Sequence, residues 1–168
     1  MSNLIGFPEM VNERAARLVA AGVATTGIVV LSTGLWWVLV VMAIGFGARV
    51  LAGPRFSPLA RLAVRAAPAF GPPRDVPGPP KRFAQAVGLL FSGSAAMAAL
   101  LFSAPAVATV LVGVLVAFAL LEALVGFCAG CVAFAALMRV GVIPRRTCEA
   151  CADLRLRARS DLAASPRS

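Results

Sequence analysis

Apolar positions along this chain neither alternate nor recur on one narrow face; they run on, and polar residues collect between the runs. The first run covers residues 18–48 and is broken only by uncharged residues. As one helix it would be about 46 Å long, well beyond the roughly 30 Å hydrocarbon core of a bilayer. Ser32-Thr33-Gly34 supplies a turn near its middle, which predicts a helical hairpin with arms near 12–31 and 35–53. Trp36 and Trp37 then fall just past the turn, at the depth where indole rings favour the membrane interface.

Residues 53–85 break this pattern. Eight of the twelve prolines lie there, with Arg55, Arg61, Arg65, Arg74, Lys81 and Arg82 against a single acid, Asp75. Proline removes backbone donors, so most of this stretch needs water. One piece still reads as a short interfacial helix: Ser57 caps it and Pro58 fits its first turn. Leu59, Leu62, Ala63 and Ala66 share a face opposite Arg61 and Arg65.

A second hairpin follows, with a third span over 84–102, a turn at Ser103-Ala104-Pro105, and a fourth span from Ala106. Gly88, Ser92 and Ala96 form a small-residue stripe that permits close helix contact. The stretch 106–137, with Glu122 its only charge, is about 48 Å as one helix and too long for one crossing. Its membrane part is expected to end near Val125, with Gly126 and Gly130 permitting a bend or close packing. The expected fold is thus an all-α membrane protein with four transmembrane helices in two hairpins. Its divisions are 1–53 (first hairpin), 54–83 (Pro/Arg-rich loop), 84–140 (second hairpin) and 141–168 (tail with a short helix).

Composition supports this. Hydrophobic residues make up 60% of the chain, and Lys+Arg exceed Asp+Glu by 16 to 7. Such an excess suits nucleic acid, but here the basic residues flank apolar spans, so no nucleic-acid partner is read and the lipid bilayer is the first partner. Neither hairpin turn carries Lys or Arg, which predicts both termini and the central loop on the cytoplasmic side. The mixed-charge opening with Glu9, Glu13, Arg14 and Arg17 does not read as a signal peptide.

Candidate chemistry lies in four cysteines: Cys128, Cys131, Cys148 and Cys151, a C-x2-C-x16-C-x2-C pattern in a chain without histidine. Two readings are open. Four thiolates at this spacing suit one zinc ion, or an iron–sulfur cluster, with Arg139, Arg145 and Arg146 offsetting the charge. Alternatively, two dithiol pairs pass electrons as dithiol and disulfide. Thr147 predicts a helix cap that puts Cys148 at a positive helix end beside Arg145 and Arg146, which favours its thiolate. In that reading Cys148 attacks, Cys151 resolves, and Cys128 and Cys131 form the membrane-proximal pair. Glu122, a carboxylate deep in a span, is a functional candidate whose simplest role is an ion pair with Arg49.

Several motifs resemble a known family. They are Gly53-Pro54-Arg55-Phe56-Ser57-Pro58-Leu59, Pro79-Pro80-Lys81-Arg82-Phe83-Ala84-Gln85, Gly126-Phe127-Cys128-Ala129-Gly130-Cys131, Arg139-Val140-Gly141-Val142-Ile143-Pro144 and Cys148-Glu149-Ala150-Cys151, with the opening Phe7-Pro8-Glu9 and Val11-Asn12-Glu13. Together they resemble the bacterial integral-membrane family catalogued as domain of unknown function 4395. The resemblance covers the chain to about Leu154. It implies a bacterial inner membrane and the company of thioredoxin-like and sulfurtransferase proteins, which tilts the cysteines towards thiol or sulfur handling. The aromatic residue expected after the first pair is Phe134 here, without a hydroxyl. The leading functional reading is therefore a thiol–disulfide or sulfur-transfer relay. The alternative is a non-enzymatic membrane protein whose metal site docks a partner or assists anion transport.

Overall fold

The computed structural model describes residues 10–53, 57–72 and 75–142. A strand, β1 (Met10–Asn12), leads into α1 (Glu13–Thr33), followed by α2 (Val38–Ala52), α3 (Pro58–Ala66) and a 3-10 turn (Ala67–Phe70). A second strand, β2 (Asp75–Pro77), precedes α4 (Gly78–Leu100), α5 (Pro105–Val125) and α6 (Ala129–Val140).

Local chemistry sets most of these boundaries. The Asn12 side chain accepts hydrogen bonds from the Arg14 and Ala15 amides at 2.9 and 3.4 Å, capping α1. Gly34, at φ 71°, ends it by donating to Val30 O. Ser57 caps α3 ahead of Pro58, as its sequence predicts. Proline also opens α5 at Pro105 and stands at the start of α4, where its missing N–H costs nothing. For that reason α4 starts at Gly78, six residues before the expected 84, and takes in a stretch read as loop.

Three helices, α1, α4 and α5, are long and apolar enough to cross a membrane. At 21, 23 and 21 residues they reach about 30 Å. α2, at 15 residues, spans only about 22 Å. Large apolar side chains such as Ile28, Ile44, Leu90, Val110 and Leu124 stand on the outside of the bundle, as contact with lipid requires. These features mark a membrane protein.

The helices do not pack in chain order. α1 packs chiefly on α5, α5 on α4, and α4 on α2, while the consecutive α1 and α2 touch only lightly. Close approach of α4 to α2 depends on the small stripe. Ser92 is fully buried, and a Cβ on Gly88 would lie 2.3 Å from the Phe46 ring. Val23, Val30, Ala108 and Val112 fill the α1–α5 seam.

β1 and β2 pair antiparallel, Val11 opposite Val76, so the residues entering α1 and α4 lie side by side. The chain is mostly helical, as expected, and this ribbon is the addition to it; three-residue strands carry no readable alternation. α3 packs on α1 through Ala60 and Ala63, with Leu59 against Gly22, while Leu62 is 65% exposed. The expected apolar face is thus rotated towards the alanine edge, because small side chains let α3 sit closer to α1. Arg61 and Arg65 point away, as expected.

One end of the bundle gathers the start of α1, the end of α2, α3, the start of α4, the end of α5, and α6. Arg14 of α1 donates to Pro72 O at 2.9 Å and to Phe70 O, holding the turn after α3. Arg17 donates to Ala123 O and Leu124 O at 3.2 and 2.7 Å, occupying carbonyls that the end of α5 leaves free. All charge in the described residues lies at this end or in the segments attached to it.

Candidate functional site

At this charged end α5 stops and the chain turns sharply into α6. Gly126 makes the turn possible at φ 76°, a left-handed conformation that strains any residue with a Cβ. Its amide donates to Glu122 O at 3.0 Å, and the Phe127 amide to Leu121 O at 3.3 Å. The long apolar stretch 106–137 is therefore two helices, broken where the sequence predicts. Gly130 serves the other role foreseen for these glycines. A Cβ there would stand 2.6 Å from Ala84 Cα, so α6 lies directly against α4.

The first cysteine pair rides on this turn. Cys128 has extended backbone angles and is the N-cap of α6, with its carbonyl accepting from the Val132 amide at 3.1 Å. It is 8% exposed, whereas Cys131, one turn further, is half-buried; both are free thiols. The pair therefore does not sit on two turns of one regular helix, as its spacing suggests, but at the mouth and in the first turn. A hydrogen bond from the Cys131 thiol holds Cys128 below the ordinary thiol value; Lys81 assists, while burial and Glu122 oppose. The same contact, with burial, pushes the Cys131 thiol up.

Glu122 pairs with Lys81, and both side chains are largely buried. This corrects the expected Arg49–Glu122 ion pair. Arg49 is buried too, but its Nε donates to Gln85 Oε1 at 2.7 Å and its Nη1 to Ser57 Oγ at 3.2 Å, and its guanidinium lies 4.4 Å over the Phe46 ring. The physical reason is the packing order. α2 lies beside α4, so Arg49 meets an α4 side chain, whereas α4 lies beside α5 and brings Lys81 to Glu122.

Glu122, Cys128 and Gln85 share the wall of a cavity of about 350 Å³ inside the bundle. The remaining wall is mostly apolar, from α1, α2, α4, α5 and α6, including Phe46, Phe91 and Phe118. A buried thiol, a carboxylate and an amide thus converge at the polar end of an otherwise greasy space.

Sequence reasoning missed Lys81 and Gln85. Pro79 and Pro80 were the available signal, since proline suits a first helical turn. Read so, Lys81 stands three residues inside the start of α4 and Glu122 three residues before the end of α5, at matching depth. Cys148, Cys151, Arg145 and Arg146 lie outside the described residues, as does the helix expected from Cys148. Among the described residues no group of three or more metal-ligating side chains gathers; half of the four-thiolate set falls beyond them.

No curated protein matches the chain, and no solved structure does. A family model matches residues 11–139, which hold every described helix but the last residue of α6. The chain belongs to the family described as domain of unknown function (DUF4395).

Proposed function

We propose that this protein is a thiol–disulfide or sulfur-transfer relay at the cytoplasmic face of the bacterial inner membrane. The observation that carries the proposal is the placement of Cys128: buried, beside Cys131, close to the Lys81–Glu122 pair and on the wall of a cavity between the helices. A cysteine kept only for packing needs neither a second thiol one turn away nor nearby charge.

In this reading α2 makes a fourth crossing together with the turn before it, and both termini are cytoplasmic by the positive-inside rule. Cys148 forms the mixed disulfide with a thioredoxin-like or sulfurtransferase partner. Its thiolate attacks one sulfur of the partner's disulfide, and the partner's other sulfur leaves as a thiol. Cys151 then attacks Cys148, closing the Cys148–Cys151 disulfide and releasing the partner as a dithiol with two electrons and two protons. Exchange runs equally in reverse, and the Cys128–Cys131 pair trades two electrons with the Cys148–Cys151 pair in the same way.

Cys151→Ser is the test. The relay predicts a folded protein that accumulates a mixed disulfide with its partner. Four Cys→Ser variants that all unfold alike, with about one metal ion per chain, would instead establish a four-thiolate structural site. A second check reads the membrane pair directly. Cys131→Ala removes the donor that favours the Cys128 thiolate, so the pH midpoint for methanethiosulfonate labelling of Cys128 shifts upward; an unchanged midpoint counts against paired thiols.

A further inference from the structure

The proposed relay has a second pair whose exchange partner is not in the cytoplasm, and the cavity says what kind of molecule reaches it. The cavity is bounded by five helices, three of them long and apolar enough to cross a membrane, so a ligand dissolved in lipid is the kind that reaches it. It runs along α1 from Ala16 to Val23, about 10 Å, with Cys128 and Glu122 at the charged end. Three phenylalanines, Phe46, Phe91 and Phe118, line it, a wall suited to the faces and edges of a flat ring. Gln85 uses its oxygen on Arg49, which leaves its amide N–H groups as donors beside the cavity. A dithiol gives up two electrons and two protons together when it closes. The molecule that collects them must be lipid-soluble, planar, an acceptor of hydrogen bonds and able to take two of each.

We propose that the cavity binds the ring of an isoprenoid quinone and that the Cys128–Cys131 dithiol reduces it. This rests on the relay reading and names its membrane substrate. The Cys128 thiolate adds to a ring carbon, forming a C–S bond and moving an electron pair onto a carbonyl oxygen, which takes a proton. The Cys131 thiolate then attacks the Cys128 sulfur. The S–S bond forms and the C–S bond breaks, leaving its electron pair on the ring; the second carbonyl oxygen takes the second proton, and the ring departs as hydroquinone, reduced by two electrons in all. Both protons are those the two thiols release, and the Glu122 carboxylate, held by Lys81, lies on the wall to pass them. Dithiol and quinone become disulfide and hydroquinone with no further reactant.

The test uses the full chain in detergent under argon, pre-reduced and freed of reductant, with a benzoquinone carrying one isoprene unit as the probe. Hydroquinone absorbance and free-thiol count are read together. Wild type forms hydroquinone as it loses thiols two at a time, and Cys128→Ser forms none. Ala133→Phe adds bulk at the exposed rim of the cavity, where no core neighbour is displaced. It raises the quinone concentration for half-maximal rate at least tenfold, while exchange with dithiothreitol, which needs no seat in the cavity, persists. If wild type exchanges with dithiothreitol but makes no hydroquinone, the quinone assignment falls and the relay stands. If the pair does neither, both fall. Hydroquinone formed equally well by Ala133→Phe places the reaction outside the cavity and overturns the site.

Discussion

At one end of the bundle Arg14, Arg17, Arg49 and Lys81 each reach to another element; at the other, the turns at 34–37 and 101–104 close with backbone bonds within the turn or back to the helix just left. Both ends join helices of similar length, yet only the first holds buried charge. Helices in lipid gain little hydrophobic drive towards one another, so polar ties and close small-residue contacts decide which pairs with which. The tied end therefore specifies the packing order, and the bare end only returns the chain.

Breaking the tied end at its deepest point has the largest effect. Lys81→Met leaves the Glu122 carboxylate buried without its partner and costs about 3–5 kcal/mol, read by denaturant titration in detergent. Lys81→Met with Glu122→Leu recovers most of that, because the cost lies in the orphaned charge. A double variant no more stable than the single one would make the pair a packing element instead. Gly130→Ala comes next. Its Cβ meets the Ala84 backbone and forces α6 off α4, for about 1–3 kcal/mol and faster labelling of Cys128. Arg17→Ala follows at about 1 kcal/mol, since its hydrogen bonds to the end of α5 are partly open to solvent. At the bare end, Thr33→Ala stays within about 0.5 kcal/mol. A loss there equal to that of Arg17→Ala would erase the contrast between the ends.

The contrast also explains what the sequence makes legible. Turns and caps are local, so Gly34, Ser57 with Pro58, Pro105 and the break at Gly126 all follow from residue type. The stripe of Gly88, Ser92 and Ala96 is equally plain, because small residues at four-residue spacing serve close packing wherever the partner lies. Which helix becomes the partner is not local. Arg49 and Lys81 both offer a cation near the depth of Glu122, and only the lateral order, with α4 between α2 and α5, selects Lys81. The start of α4 was hidden by prolines that signal a loop inside a helix and suit its first turn equally well. The ribbon was hidden by brevity. In the candidate site the two sulfurs were visible as a pair, but the cavity beside them is made by five helices and belongs to no segment of sequence.

The ribbon between β1 and β2 has a consequence for how the protein is made. Its two strands flank the first long helix and the loop before the second, so the N-terminal strand leaves the ribosome long before its mate exists. Arg14 and Arg17 likewise wait for carbonyls on later segments. Until β2 and the turn before it have been made, the first strand and Arg14 lack their partners, and Arg17 waits longer still, for the end of α5. Assembly of the charged face is thus a closing event at the end of synthesis, and a nascent chain halted after α3 would leave its first residues open to proteolysis from the side on which that face forms.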